Sequence, residues 1–343
     1  MTLCLDKYKN NGLTGLANLG NTCYINSCMQ ILSHCYLLNN ILDSRENQLN
    51  NNIDSVLVKE WIDLKNLMWS KNCTIAPKRF INIVQNISRK KNKDLFTGYA
   101  QNDLPEFLIF IFECFHNSLQ KNVNMGIQGE CLNTKDIMAK KCYEMFISMY
   151  KDDFSDIIKN FYGISVSLIL SKNNKKRLSI RPEPFCLLNL PIPGKKECDI
   201  FDCLDLYTKQ EYLENENAWF NEKTNKKEDV FKCINFWSLP DILIVDFKRF
   251  DNNNKKINCI INTPLDKIDL SQYIVGYDKN QYIYELFGVC NHSGGCLGGH
   301  YTANIKNANN KWYNFNDTII TEIDKKNIIT NNGYCYFYKR SNI

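Results

Sequence analysis

Cys23 follows the stretch Gly15-Leu16-Ala17-Asn18-Leu19-Gly20-Asn21-Thr22 and directly precedes a segment in which Ile25, Cys28, Met29, Leu32, Cys35 and Tyr36 recur at helical spacing. Gly and Asn accept tight turns, so this order predicts a turn that hands Cys23 to the start of an amphipathic helix, Ile25 to Leu38. Cys28 falls on the buried stripe and Cys23 off it. At a helix start, unpaired N–H groups and the positive end of the helix dipole favour a thiolate and predict a lowered thiol pKa. The same turn can aim N–H groups and the Asn18 amide at a developing oxyanion. That chemistry is nucleophilic attack on a carbonyl. The chain has 16 cysteines, however, and a cysteine taken at random is a buried, inert thiol, so a partner base has to decide the matter.

There are 4 histidines, so elimination is practical. His34 lies on the same predicted helix as Cys23, about 16 Å further along its axis, and cannot reach it. His116 ends an apolar helical run and reads as a boundary residue. His292 and His300 flank a glycine-rich loop, Asn291-His292-Ser293-Gly294-Gly295-Cys296-Leu297-Gly298-Gly299-His300-Tyr301. Glycines let that loop approach closely whatever it faces, and the alternation after it sets His300 at the start of a strand. The next extended stretch ends in Asn314-Phe315-Asn316-Asp317, which brings Asn316 or Asp317 beside His300 as the orienting acceptor a base needs. Cys, His and Asn or Asp in chain order describe a thiol hydrolase.

The elements that must hold these groups change character along the chain. Asn52 to Ser70 and Lys78 to Ile87 carry helical periodicity, and the basic run Arg89 to Lys93 reads as a solvated loop. Gln101-Asn102-Asp103-Leu104-Pro105 opens a helix that is apolar on nearly all faces to Phe115 and therefore central; the Asp103 carboxylate is placed to cap it or to face a basic substrate segment. Ile137 to Tyr150 is a further helical stretch. Near Phe161 the pattern turns to strands: Ile164 to Leu170 pairs with Arg177 to Ile180 across a turn, and Phe185 to Ile192 is extended. Asp202 to Tyr212 is briefly helical, and Glu214 to Asp229 is a polar tip. Leu239 to Phe247, Tyr284 to Cys290, Tyr301 to Ile305, Lys311 to Phe315 and Tyr334 to Tyr338 are strands. Helices first and antiparallel strands later make an α+β fold without internal repeats.

Composition narrows the class. Of 343 residues 44% are apolar and 23% charged, ordinary for a globular protein, and the net charge of +5 is interspersed with acids, which argues against nucleic-acid or membrane partners. The first ten residues lack the apolar run of a signal peptide, and no window approaches a bilayer span, so a cytoplasmic or nuclear location is expected. Cysteines there stay mostly reduced, and no two stand in a C-x-x-C pair, so neither a disulfide framework nor a zinc site is expected.

These residues resemble the ubiquitin-specific proteases, papain-like deubiquitinating enzymes, over nearly the whole chain. Gly15 to Ser27 resembles their cysteine box. Gly298-Gly299-His300-Tyr301-Thr302-Ala303, with Trp312-Tyr313-Asn314-Phe315-Asn316-Asp317, resembles their histidine box. Gln101-Asn102-Asp103 with Glu106-Phe107-Leu108, Asp246 to Phe250, and the closing Tyr334 to Arg340 resemble three further blocks in the family's order. The resemblance implies one catalytic domain over 1–343, with a helical thumb over about 13–160, fingers built of strands over about 160–240 and a palm over about 240–343. It implies Cys23 as nucleophile, His300 as general base and acid, Asn316 as the orienting third member, Asn18 as an oxyanion donor and Asp317 as an auxiliary candidate. His292 matches a second, structural histidine of that box. Asp103, with Tyr301, would contact the C-terminal tail of the substrate. Ubiquitin and ubiquitin-conjugated proteins are the partners implied, with a monomer as the working form and no cofactor. Paired fingertip cysteines, which bind structural zinc in many members, are missing from Ile164 to Leu170 and from Ala218 to Asn221, so no metal is expected and apolar packing should hold the fingertips. Two alternatives are a ubiquitin-binding pseudoenzyme and a protease for another ubiquitin-like modifier.

Overall fold

The computed structural model describes residues 5–98, 100–296 and 298–341. A short strand, β1 (Gly15–Leu16), leads through the glycine and asparagine turn into α1 (Cys23–Ser33). Then come α2 (Tyr36–Arg45), α3 (Ile53–Ser70), β2 (Thr74–Ile75), α4 (Lys78–Lys90), α5 (Leu104–Leu119), α6 (Thr134–Tyr150) and α7 (Asp156–Phe161). The middle of the chain forms β3 (Gly163–Ser171), β4 (Arg177–Phe185), β5 (Leu187–Leu190), β6 (Glu197–Asp199), α8 (Ile200–Thr208), β7 (Glu211–Leu213), β8 (Trp219–Asn221), β9 (Lys226–Glu228) and β10 (Val230–Ser238). The last part is β11 (Ile242–Phe247), β12 (Ile260–Asn262), β13 (Ile268–Asp269), β14 (Ile283–Gly295), β15 (Gly298–Lys306), β16 (Trp312–Asn316), β17 (Ile319–Ile323) and β18 (Gly333–Arg340).

A large sheet runs in the order β17-β16-β15-β14-β18-β11-β5, with β13 on β14; a separate four-stranded sheet has the order β4-β3-β10-β7. The large sheet is buried on both faces because its strands alternate apolar residues between two cores. Ile242 and Ile244 of β11, with Cys335 and Phe337 of β18, face the helices. Leu243, Val245 and Phe247, with Tyr336 and Tyr338, face a second core completed by α8. On the helical side, Phe107, Phe110, Phe112 and Phe115 of α5 are all essentially inaccessible to water. Each such ring contributes about 1.5–3 kcal/mol through burial.

The helix carrying Cys23 differs from the sequence expectation in two ways. Every residue of α1 is buried, where a single stripe was expected, because α1 is enclosed by the large sheet and by α5. It also ends at Ser33 and a new helix begins at Tyr36. Cys35 N–H bonds back to Leu32 O at 3.1 Å, which tightens the last turn while the apolar spacing continues unbroken, so periodicity cannot see the break.

Other expectations sharpen. The basic run after α4 is not merely solvated: Lys91 pairs with Asp54 at 3.0 Å and Glu113 at 2.9 Å, and Lys93 with Glu113 at 2.6 Å, tying α4 to α3 and α5. The strand after residue 176 pairs back over its full length to Phe185, beyond the Ile180 expected. At the tip of the smaller sheet, apolar packing is joined by polar ties, with Lys172 3.3 Å from Asp229 and Tyr212 Oη 3.2 Å from the same carboxylate. Strand β17 carried no sequence signal and pairs with β16 along its whole length, Asn316 opposite Ile319.

Candidate active site

Cys23 is the first residue of α1, and the loop before it is held at both ends. β1 pairs in parallel with β2, and Leu16 N–H donates to Asp317 O at 2.9 Å. A Cβ on Gly15 would lie 2.6 Å from Thr318 O, so this crossing demands glycine. Within the loop, Asn18 Oδ1 accepts the N–H groups of Gly20 and Thr22, each at 3.1 Å, while Gly20 and Asn21 adopt φ of 102° and 53°. The result is a rigid Asx-type turn that delivers Cys23 with its thiol almost wholly buried.

The thiol lies against β15, where the Tyr301 N–H is directed at it. Burial pushes the Cys23 thiol above its ordinary value; the Tyr301 N–H opposes this, the nearby Asp317 carboxylate adds to it, and the N–H groups of Tyr24 and Cys23 itself favour the thiolate. The lowered pKa expected from a helix start is thus reversed in direction, because desolvation outweighs the N–H donors. A thiolate here requires a neighbouring cation.

One residue before Tyr301 stands His300. Its Nε2 lies 2.7 Å from Asn316 Oδ1, at the end of the adjacent strand β16. With Nε2 donating to that amide oxygen, Nδ1 is the nitrogen left for a thiol proton. Of the two acceptors the sequence left open, Asn316 meets the imidazole. Asp317, at φ 50°, turns back and accepts from Asn18 Nδ2 at 3.1 Å and Asn26 Nδ2 at 2.8 Å. It anchors the cysteine loop to the histidine strands. Asn18 therefore has one amide hydrogen committed to Asp317 and one remaining for other acceptors.

Asp103 begins α5 in N-cap conformation, but its side chain makes no cap bond. Its carboxylate accepts the Tyr301 hydroxyl at 3.0 Å. Burial raises its pKa, while the hydroxyls of Tyr301 and Tyr334 act against that rise. His292, 4% exposed, packs against Tyr301 with ring centroids 4.6 Å apart and planes tilted by 37°, and burial beside Lys256 lowers its pKa to about 4. Gln101, Asp103, Phe250, His292, Tyr301 and Tyr334 line a cavity of about 230 Å³ between the start of α5 and the end of β14. A cavity of similar size under His34 and Lys339 contains none of the seven expected site residues. Among the described residues no group of three His, Cys, Asp or Glu is placed to hold a metal ion, and no helix is long and apolar enough to cross a membrane.

Three participants escaped sequence reasoning. Asn26 is buried on α1 and bridges Leu16 O at 3.2 Å and the Asp317 carboxylate; one of four polar residues on that helix, it carried no distinguishing signal in the sequence. Gln101 and Asn102 precede Asp103 in the same block and bond to both walls of the site.

A buried thiol at a helix start, set against adjacent sheet strands that carry a hydrogen-bonded His and Asn pair, is the arrangement of a papain-like cysteine hydrolase on an α+β scaffold. The chain belongs to the ubiquitin carboxyl-terminal hydrolase family, whose model matches residues 14–338. It is 28% identical over 340 residues to ubiquitin carboxyl-terminal hydrolase Usp2 of Drosophila melanogaster, covering 97% of this chain and 35% of that protein. It is 30% identical over 344 residues to ubiquitin carboxyl-terminal hydrolase 2 of Gallus gallus, covering 96% and 93%. A probable ubiquitin carboxyl-terminal hydrolase of Acanthamoeba polyphaga mimivirus is 28% identical over 430 residues, covering 97% and 91%. The chain thus spans about a third of the fly relative, and 55% of the human ubiquitin carboxyl-terminal hydrolase 2. Its fold matches that of Ubp8 in the SAGA module with Sgf11, Sus1 and Sgf73 bound to monoubiquitin, at TM-score 0.75 and 23% identity, over 99% of this chain and 71% of that one.

Proposed function

We propose that this chain is a deubiquitinase that hydrolyses the peptide or isopeptide bond at the C-terminal glycine of ubiquitin through a thioester on Cys23. His300 Nδ1 takes the thiol proton, and the resulting imidazolium supplies the cation that the desolvated thiolate needs. The thiolate attacks the scissile carbonyl, and the oxyanion is held by the free Asn18 amide hydrogen with N–H groups of the turn. His300 then protonates the leaving amine, and a water activated by the same imidazole releases ubiquitin. Asn316 keeps the ring oriented throughout. Asp103 and Tyr301 contact the incoming tail along the cavity. In this reading residues 13–160, 160–240 and 240–343 serve approximately as thumb, fingers and palm. The chain acts as a monomer in the cytoplasm or nucleus, without nucleic-acid or membrane partners.

The observation that carries the reading is the 2.7 Å bond from His300 Nε2 to Asn316, on a strand whose next N–H points at the Cys23 thiol. Family membership supplies the substrate. The test is intact-protein mass spectrometry after incubation with a ubiquitin C-terminal electrophile. A covalent adduct on Cys23, lost in Cys23→Ala and slowed in His300→Ala, is expected. Ubiquitin binding without an adduct in the wild type would indicate a pseudoenzyme, and neither binding nor adduct would point to another modifier.

A further inference from the structure

The segment between the thumb-side helices and the sheet makes three consecutive ties that no catalytic step uses. Gln101 Nε2 donates to Gly299 O at 2.5 Å, and Gly299 N–H donates to Gln101 Oε1 at 2.5 Å, so one side-chain amide closes a two-way bond on the residue before His300. Asn102 Nδ2 donates to Tyr24 Oη at 3.1 Å, the residue after Cys23. Asp103 accepts from Tyr301 Oη at 3.0 Å, the residue after His300. Three successive residues therefore hold the immediate neighbours of both the thiol and the imidazole, Tyr24 lying 78 residues away on α1 and Gly299 and Tyr301 each 198 residues away on β15.

The far side of the strand leaves Gly299 no room to move. A Cβ there would sit 2.3 Å from His292 Nε2 and 2.5 Å from Ser293 O, so the backbone is pressed between the His292 ring and the Gln101 amide. Residues 299 and 301 point to one side of the strand and His300 to the other, so ties at both neighbours fix the ring without occupying its reacting face. An amide is suited to this place because it donates and accepts at once, matching the C=O and N–H of a single residue. Gly294, Gly295, Gly298 and Gly299 pair with one another where β14 and β15 meet, and glycine has more backbone freedom to lose than any other residue, so a tie from outside the two strands narrows the conformations open to this end.

We infer that Gln101 is a positioning residue that sets the separation between His300 and Cys23 by clamping the Gly299 peptide, with Asn102 and Asp103 completing a three-point staple. The inference deepens the proposed deubiquitinase reading and rests on it for its steady-state arm. Displacing a reacting group by about 1 Å costs on the order of 100-fold in rate, so loss of the clamp should lower kcat by about 10- to 100-fold; Gln101 also lines the cavity, so a change in KM is read as a separate effect.

The experiment compares wild type with Gln101→Met and Gln101→Glu, both of nearly unchanged size. One arm measures kcat and KM for a ubiquitin C-terminal aminocoumarin; the other follows iodoacetamide alkylation of Cys23 against pH by peptide mass spectrometry, which needs no ubiquitin. Gln101→Met is expected to lose kcat and to shift thiolate formation to higher pH, with an unchanged melting temperature. Gln101→Glu should be as impaired at pH 7.5 but recover relative to wild type as pH falls toward about 4.5, where a protonated carboxyl again both donates and accepts. Wild-type kcat and a wild-type alkylation profile in Gln101→Met would overturn the inference. So would a kcat loss that only tracks a lowered melting temperature. If wild type fails to cleave the ubiquitin substrate, the functional reading falls, and the alkylation arm still decides the clamp.

Discussion

Replacing Asn316 by Ala removes one hydrogen bond, 2.7 Å long, from His300 Nε2 to the Asn316 carbonyl oxygen. Once the ring has taken the Cys23 proton that bond is charge-assisted and contributes about 1.5–3 kcal/mol. At about 1.4 kcal/mol per decade this corresponds to a fall in kcat of about 10- to 150-fold. The loss should appear in kcat, because Asn316 is not among the residues lining the cavity beside Asp103 and Tyr301. Stability should hardly change, since the pairing of Asn316 with Ile319 between β16 and β17 is made by the backbone. Steady-state hydrolysis of ubiquitin aminocoumarin, read together with thermal unfolding, separates these effects. A kcat within about twofold of wild type would show that the imidazole does not depend on this acceptor. A loss proportional to the unfolded fraction would refute the reasoning equally.

Two other substitutions probe different parts of the site. Asp317→Ala deletes the acceptor of the Asn18 and Asn26 amides and puts a methyl group at a left-handed φ of 50°, so it should destabilise the fold. A loss of about 2–4 kcal/mol is expected by chemical denaturation after allowing for partial exposure, with iodoacetamide titration of Cys23 moving to lower pH; an unchanged titration would argue against the carboxylate acting on the thiol. His34, fully enclosed, is held neutral with its pKa lowered to about 4 by burial. The unfolded chain takes up that proton near pH 6.5, so the neutral side chain supports folding fully above that pH and loses support as pH falls toward about 4. The stability of wild type relative to His34→Phe should therefore drop by about 1.4 kcal/mol per pH unit in that window, measured by urea unfolding at several pH values, and a flat difference would contradict it.

Local pattern revealed much of this protein because the relevant signals are short in sequence. The turn that ends at Cys23, the strand that carries His300, the helical spacing of α3 to α6 and the hairpin of β3 with β4 all follow from residue order within windows of a few turns or strands, although β14 and β15 extend through the glycines expected to form a loop, to Gly295 and from Gly298. The break between α1 and α2 was hidden because its cause is a tightened hydrogen bond under continuous apolar spacing. Strand β17 was hidden because an edge strand with mostly exposed residues carries little alternation of burial.

The residue types at positions 18, 23, 300 and 316, and the thiol chemistry they permit, were determined by the sequence itself, through motifs in which each glycine, asparagine and histidine has a local reason to be there. Residue order left Asn316 and Asp317 both open as the imidazole's acceptor and the family resemblance favoured Asn316; the tertiary structure sets Asn316 Oδ1 against His300 Nε2 and, through the backbone at φ 50°, turns Asp317 away. It also decided the direction of the Cys23 pKa shift, because desolvation depends on everything packed around the thiol and the helix start is only one part of that surrounding. The ties from Gln101, Asn102 and Asp103 to both reacting elements belong with these. They join segments that no local window contains, and their geometry exists only once the sheet register has brought residue 299 to residue 101.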